Sequence, residues 1–495
     1  MSGRPSFPAG LTLEPHKQLP LQQPIVGLPA PPCVVLSLDQ GSGREAEPIV
    51  APGERVALGS MVARPGDAWS AAVHASVSGR VVAVERREAA TASGDATCIV
   101  IENDGEDRRD EGLTPRDYLS MLPGDLADAL RAAGIVGLGG GAFPTATKLG
   151  AAQARGARRL LLNGAECEPW ICCDDALMRE NAADVVLGAR VLMHALDADC
   201  CTIAIEDDKP QAIDAMRDTT ASSPGIEVRV VPAVYPQGAE RQLVTAVTGE
   251  EVPSRGWPAD VGVTCQNVAT AAAIARWVHT GEPCVERVVT VNGSGVARPC
   301  NVRARIGTPL ALLVEAAGGY QGSPLQLIAG GNMTGRALPS DEIGLTKAIN
   351  CVFVATHADL AARISATERP CIRCGDCATV CPPGLLPQQL HRAALAEDQA
   401  SLVNLGIWDC IDCGCCDYVC PSQIPLAQRF RTARTLLRER EAATGRAAAA
   451  RERHERRERR LQEAAQAEQE AFDAARRRAL GNDSPARPDS PDGAA

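Results

Sequence analysis

Hydrophobic positions change their period several times along the chain, and each change predicts a new unit. The first 110 residues carry short alternating runs, Cys33 to Leu38, Val56 to Val62, Val81 to Val84 and Cys98 to Ile101, parted by Gly, Pro and Asp. That texture predicts a small all-β unit. From about residue 113 helical and strand patterns alternate. Asp125 to Ala133 is helical, Arg159 to Leu162 reads as a buried strand, and Ala182 to Ala195 is helical. Strand Cys201 to Glu206, helix Pro210 to Asp218 and strand Ile226 to Val231 follow. This βαβ rhythm implies a largely parallel sheet. Short strands return at Val288 to Asn292, Cys300 to Ile306, Leu325 to Ala329 and Asn350 to Val354, around a helix at Pro309 to Ala317. Leu385 to Glu397 predicts one more helix. After Pro425 the chain turns Ala/Arg/Glu-rich, with opposite charges three and four apart and no sustained apolar stripe, as in Arg451 to Arg460. That pattern predicts a solvated helix. Residues 1–32 are Pro-rich and expected to lie extended along another surface; 481–495 are expected to be disordered.

Composition narrows the class. At 495 residues, 45% hydrophobic but only 3% aromatic, the chain must build its cores from Val, Leu, Ile and Ala. A net charge of −11 argues against a general nucleic-acid binder. The start lacks the basic and apolar regions of a signal peptide, and no run approaches the roughly 18–20 apolar residues of a membrane span. No transmembrane segment of its own is expected. Twenty cysteines are many, and the adjacent pairs Cys172/Cys173 and Cys200/Cys201 do not resemble a disulfide framework. A reducing compartment is expected.

Two runs account for eight of those cysteines. Cys371, Cys374, Cys377 and Cys381 precede Pro382; Cys410, Cys413, Cys416 and Cys420 precede Pro421. Both follow C-x2-C-x2-C-x3-C-P, the bacterial iron–sulfur pattern in which the fourth cysteine ligates the other cluster. The expected sets are therefore Cys371, Cys374, Cys377 and Cys420 for one [4Fe–4S] cluster and Cys410, Cys413, Cys416 and Cys381 for the other. Cys415 falls between ligand positions and reads as a bystander. Structural zinc fits poorly, because its sites take two Cys pairs or mixed Cys and His.

A second constellation lies upstream. Gly134 to Leu149 holds a glycine-rich loop, Gly137-Leu138-Gly139-Gly140-Gly141, with Lys148 beyond it. Exposed backbone N–H groups and a lysine suit a phosphate, although a tight turn explains such a loop equally well. The predicted strand at Arg159 runs into Asn163-Gly164-Ala165-Glu166-Cys167-Glu168-Pro169, polar groups at the end of a strand where open α/β sheets bind ligands. Tyr235 to Gln242 is read as a further polar, glycine-bearing loop, with the stretch Gln266 to Thr270 beyond it.

These four stretches resemble the flavin-binding fold of the NADH-oxidising subunit of respiratory complex I. They resemble more closely the C component of Rnf-type ion-translocating electron transport complexes. The order of parts agrees over roughly residues 10–430: the His16-Lys17-Gln18 leader, a barrel, the glycine loop, Asn163 to Pro169, then two ferredoxin motifs. The stretch Ala51 to Ser60 with Val77 to Val82 is similar to the hammerhead barrel of biotinyl and lipoyl carriers. No lysine lies between Leu58 and Val84, so a structural barrel is expected. The resemblance implies a multidomain α/β and α+β chain. Its parts would be an extended leader (1–32), a hammerhead-like β-barrel (33–112), a Rossmann-like FMN/NADH domain (113–258) and a β-grasp module of soluble-ligand-binding type acting as a spacer (259–360). A two-cluster ferredoxin domain (361–430), a charged helix (431–480) and a tail (481–495) would follow. It implies phosphate contacts from Gly139, Gly140 and Gly141 with Lys148 near. Asn163, Glu166, Glu240 and Asn267 would line the flavin, with Phe143 and Glu168 on the nicotinamide side. The family reads Gly-Ala-Gly before the phenylalanine, where Gly140-Gly141-Ala142 stands here; the Ala142 methyl is expected to crowd the loop.

Chemistry also calls for a flavin: nicotinamide gives up two electrons as hydride, whereas each cluster accepts one, and a flavin does both. The expected function is a peripheral electron-transfer subunit on the cytoplasmic face of the bacterial inner membrane. It would link NAD(H), FMN and two [4Fe–4S] clusters to integral-membrane and ferredoxin-like partner subunits, which carry the ion transport. The alternatives are a soluble flavin/iron–sulfur reductase of cobalamin-reductase type, against which the leader and barrel count, and an iron–sulfur scaffold with a vestigial flavin site.

Overall fold

The computed structural model describes residues 9–41, 43–324, 326–359 and 367–481. Leu325 at the start of one expected strand, the boundary expected at 360/361 and the tail from 482 lie outside the described residues. The chain divides into two units, 1–430 and 431–495.

The first unit opens on β1 (Val26–Gly27) and two small sheets. β2 (Cys33–Ser37), β4 (Arg55–Val56), β7 (Gly79–Glu88) and β8 (Asp95–Asn103) form one, in the order β2-β8-β7-β4; β3 (Glu47–Pro48), β5 (Met61–Arg64) and β6 (Val73–His74) form the other. Their inner faces bury Val34, Leu36, Val62, Val81, Ile99 and Ile101. The run expected as one strand from Val56 to Val62 is split between the two sheets. Gly59, at φ +90°, turns the chain there, and its N–H donates to Ala75 O at 2.8 Å. A side chain is strained at that φ, so glycine permits the corner.

α1 (Pro123–Ala132) and α2 (Thr145–Ala154) then flank the glycine loop. β9 (Arg159–Gly164), α3 (Cys173–Glu180), α4 (Ala182–Leu196), β10 (Cys200–Glu206), α5 (Pro210–Thr220), β11 (Ile226–Val231), α6 (Glu240–Thr248), β12 (Val263–Asn267) and α7 (Val268–Thr280) follow. The sheet is all parallel, in the order β11-β10-β9-β12. Parallel strands are covered on both faces, here by α4 and α7 on one core and α6 on the other. Two expectations are corrected. The boundary expected at 258/259 falls inside this unit, because β12 pairs with β9. Tyr235 to Gln242 is not loop throughout, since α6 begins at Glu240. Gln266 to Thr270 is the end of β12 and the first turn of α7, which Asn267 caps by accepting from Ala269 N at 2.8 Å.

A six-stranded sheet, β1-β14-β13-β17-β15-β16, comes next, built from β13 (Glu286–Asn292), β14 (Cys300–Arg305), β15 (Gln326–Ala329), β16 (Arg336–Leu338) and β17 (Cys351–Ala355), with α8 (Leu310–Ala316) packed on it. Its edge strand β1 comes from the leader, where it follows a turn over residues 18–23 and pairs in parallel with β14. The ferredoxin region carries α9 (Asp376–Thr379), α10 (Pro387–Leu395), α11 (Gln399–Asn404) and α12 (Cys415–Tyr418). The last helix, α13 (Leu426–Ala479), starts five residues before the expected 431. In the second unit its residues are mostly exposed, with Glu452 and Arg456 ion-paired one turn apart at 3.1 Å and His454 Nε2 lying 3.4 Å from Glu458. Among the described residues no helix is long and apolar enough to cross a membrane.

Candidate functional site

The glycine loop closes on itself. Gly137 N donates to Phe143 O at 2.8 Å and Ala142 N to Gly137 O at 3.0 Å, leaving Gly139, Gly140 and Gly141 exposed at the tip. Thr270 Oγ1 on α7 accepts from Leu138 N at 2.9 Å and fixes the loop against the first turn of α7. A Cβ on Gly139 would stand 3.0 Å from Asn267 Nδ2, so a side chain here would require the Asn267 amide to give way by a few tenths of an ångström. Ala142 adopts φ +43° and is 1% exposed. Its methyl therefore points into the core, and the expected crowding of the loop is absent.

A cavity opens between this tip and the carboxyl ends of β9 and β12. Gly139, Asn163, Glu166, Glu168 and Asn267 line it, as do Cys167, Asp174, Tyr235, Gly238, Thr334, Asn350, Ile411 and Cys413. Five of the ten expected cofactor residues are thus brought together. Each is held by a neighbour: Asn163 Nδ2 donates to Gly238 O at 2.8 Å, and Asn267 Nδ2 to Asp174 Oδ2 at 2.6 Å. The Glu166 carboxylate accepts from Asp174 N (2.7 Å) and Asp175 N (3.1 Å) at the start of α3, a favourable place for negative charge. Leader residue Lys17 donates to Glu166 O. Burial, then the charge of Glu166, push the Asp174 carboxyl up to about 7; burial also raises Glu166 itself. Glu168 behaves differently: it accepts from Met333 N (2.9 Å), Thr334 N (2.8 Å) and Thr334 Oγ1 (2.6 Å), and so anchors the 330–335 loop against the cavity.

The other five expected residues do not line the cavity. Gly140 borders Asn350, and Gly141 faces open space. Lys148 pairs with Glu240 at 2.7 Å and donates to Cys265 O at 3.2 Å. Burial opposes its charge, but Glu240 outweighs burial and holds the ammonium above its ordinary range. Phe143 packs edge-on against Trp69 and Trp257, with centroids 5.5 and 5.7 Å away, and Lys148 Nζ lies 5.9 Å from its centroid. Asp174 had a signal in the sequence, the acidic pair directly after Cys172-Cys173. Thr334 and Asn350 had none, being brought in from another sheet.

The cysteine loops repeat one backbone design. Arg373 (φ 59°) and Gly375 (φ 91°) match Asp412 (φ 57°) and Gly414 (φ 73°), left-handed positions that curl each loop so its sulfurs converge. Cys371, Cys374, Cys377 and Cys420 line one small cavity; Cys381, Cys410, Cys413 and Cys416 line a second. Cys420 thus shares a cavity with the first loop's cysteines and Cys381 with the second's. Among the described residues, the group whose ligand atoms all lie within 4.8 Å of one another is Glu166, Cys173 and Asp174, not a cysteine set. A single tetrahedral zinc with bonds of about 2.3 Å needs sulfurs about 3.8 Å apart. The wider spacing and all-thiol donors fit a cubane. Two features have no counterpart in the sequence pattern. Ile411 and Cys413 line the second cysteine cavity and the glycine-loop cavity alike, and Tyr235 OH donates to Cys413 O at 2.6 Å across that wall. Arg241 and Asp409 add an ion pair at 3.3 Å.

A parallel sheet with a glycine-loop cavity abutting paired four-cysteine cavities defines a flavin and iron–sulfur electron carrier. Family models agree part by part: the RnfC barrel sandwich hybrid domain matches 5–106, the Nuo51 FMN-binding domain 130–276, the SLBB domain 288–337 and the 4Fe-4S dicluster domain 363–421. The chain is 41% identical over 439 residues to the C component of the ion-translocating oxidoreductase complex of Rhodobacter capsulatus, covering 88% of this chain and 84% of that protein. It is 43% identical over 456 residues to the corresponding component from Pseudomonas aeruginosa, covering 92% of this chain but 58% of that longer protein. The chain belongs to the RnfC family, the C components of ion-translocating oxidoreductase complexes. Among solved structures, an NAD+-reducing [NiFe]-hydrogenase in the air-oxidized state covers 56% of this chain and 53% of its own at 20% identity, with a TM-score of 0.42.

Proposed function

We propose that this chain is the peripheral electron-transfer subunit of a membrane-bound ion-translocating oxidoreductase, linking NAD(H) and FMN to two [4Fe–4S] clusters and, through them, to partner subunits. The observation that carries this reading is the wall shared through Ile411 and Cys413 by the glycine-loop cavity and a four-cysteine cavity. When bound, FMN supplies the exchange between a two-electron hydride and one-electron carriers. Gly139, Asn163, Glu166 and Asn267 would hold it, with Gly140, Gly141 and Lys148 toward its phosphate. Glu240 would act through Lys148. Phe143, in its aromatic group with Trp69 and Trp257, would offer the nicotinamide side, and Glu168 would order the 330–335 loop beside it. Cys381, Cys410, Cys413 and Cys416 would form the ligand set nearest the flavin. Cys371, Cys374, Cys377 and Cys420 would form the outlet, since Cys371 and Cys374 are exposed and within reach of a partner. Family membership, with no helix suited to crossing a membrane among the described residues, supports attachment to membrane subunits at the cytoplasmic face of the bacterial inner membrane.

Anaerobic purification with flavin extraction, iron analysis and a pull-down of membrane subunits tests this. About one FMN and about eight irons per chain, with NADH-dependent reduction of a one-electron acceptor and co-purifying integral-membrane partners, is the expected result. Eight irons without flavin would leave only a scaffold.

A further inference from the structure

Charge is unevenly placed along α13. The stretch 446–460 holds seven arginines and three glutamates, a net +4, in a chain whose total is −11, so the rest of the chain carries −15. Arg446, Arg453, Arg457 and Arg460 follow one another at intervals of seven, four and three. On a continuous helix of 3.6 residues per turn they share one face about 60° wide and about 21 Å long. Glu452, Glu455 and Glu458 lie about 110° or more around the helix from the middle of that face. Arg456, on its flank, is taken up by Glu452 at 3.1 Å. All seven arginines are exposed, and nothing apolar larger than alanine stands among them. Among the described residues, the four arginines of the face have no carboxylate partner.

We propose that this face of α13 docks on an anionic lipid surface, so that the chain itself touches the membrane in addition to its partner subunits. The inference rests on the membrane attachment proposed above. Charge complementarity selects the occupant. An anionic leaflet attracts basic side chains that come within a Debye length of it. A basic face on a continuous helix can lie along such a surface with its four guanidinium groups turned to the headgroups, whose phosphates match their planar fork of donors. A protein partner fits less well, because interfaces centre on apolar and aromatic side chains, and this stretch has none. With no apolar residue to insert, the contact is electrostatic and salt releases it. The acidic remainder of the chain is repelled by the same surface, so the attraction is confined to this face.

The test is co-sedimentation of the purified full chain with vesicles of phosphatidylcholine alone and of equal parts phosphatidylcholine and phosphatidylglycerol. We expect binding to the anionic vesicles only, lost at about 0.5 M salt, where the Debye length falls below about 5 Å. Two charge-matched variants locate the contact. Arg453→Gln with Arg457→Gln strips the face, whereas Arg451→Gln with Arg459→Gln removes equal charge from the far side of the helix. Glutamine keeps the helix propensity of arginine, and circular dichroism checks it. At roughly fivefold per arginine, the first pair should weaken binding about tenfold or more, and the second less than threefold. Equal weakening by the two pairs overturns the proposal, since net charge rather than a face would then be sensed. So does binding to both kinds of vesicle, or to neither. Those failures leave the function above standing, because it is read from flavin, iron and co-purifying subunits. Anion-dependent binding by a chain that holds neither flavin nor iron would instead refute that function and spare the lipid contact.

Discussion

Replacing Ala142 by glycine removes the methyl that the sequence led one to expect in the loop, and the structure predicts that flavin affinity will not change. The methyl is buried in the core, not at the loop tip, so its removal opens no space for a ligand. The energetics nearly cancel. A left-handed backbone costs a non-glycine residue about 1–2 kcal/mol, which Ala142→Gly relieves. The variant loses about 0.8 kcal/mol of buried methyl and about 0.5–1 kcal/mol through the greater freedom of glycine in the unfolded chain. Stability should therefore stay within about 1 kcal/mol of the parent, and FMN affinity within about twofold, which is about 0.4 kcal/mol. Gly139→Ala provides the contrast. Its Cβ would stand 3.0 Å from Asn267 Nδ2, and Asn267 cannot yield easily because it binds Asp174 at 2.6 Å and caps α7. A fluorescence titration of flavin-depleted full chain with FMN should show Gly139→Ala weakened about tenfold or more, the equivalent of about 1.4 kcal/mol. Tenfold tightening in Ala142→Gly would refute the reasoning, since it would mean the methyl faces the ligand after all.

Three further outcomes are expected. Cys381→Ser should remove the flavin-side cluster although Cys381 lies in the other motif; iron should fall to about four per chain and electron delivery from NADH to an external acceptor should be lost, while NADH still bleaches the flavin. Glu168→Ala should release the 330–335 loop, because three hydrogen bonds to one carboxylate, about 1.5–3 kcal/mol for a typical charged one, disappear together; hydrogen exchange at Met333 and Thr334 should rise, and unchanged exchange would show the anchor to be idle. Asp174, raised by burial and by Glu166 to about 7 from an ordinary 3.8, binds more protons folded than unfolded between those values, so its contribution to stability falls as pH rises from about 4 to 7 and is level above that. Thermal unfolding of Asp174→Asn should lose that part of the slope; Glu206, also raised to about 7 by burial, keeps another part in place.

Ligand spacing is local, and locality decided what could be read without coordinates. Each cysteine loop spans seven residues from first to third ligand, and its curl follows from left-handed positions inside it, so the eight candidate ligands and their crossed pairing were legible from the sequence alone. Strands β9, β10 and β11 and helices α1, α4 and α5 were legible for the same reason, because hydrophobic period is a property of neighbours, whereas β12, α2, α3, α6 and α7 were not read. The corner at Gly59 and the start of α6 were misjudged where a turn or cap, rather than a period, sets the element. The cavity was decided otherwise. Asn163, Asn267, Thr334, Asn350 and Cys413 reach it from three different parts of the fold, and no pattern along the chain can announce a meeting of residues up to 250 positions apart. Lys148 was legible as a cation near the glycine loop, but only the fold could pair it with Glu240. Ala142 looked like an obstruction until its burial in the core showed where the methyl sits. Sequence thus determined the carriers, through short-range covalent spacing. Tertiary packing alone decided that one carrier's cysteine also walls the other's cavity, because that contact depends on how separately folded layers are pressed together.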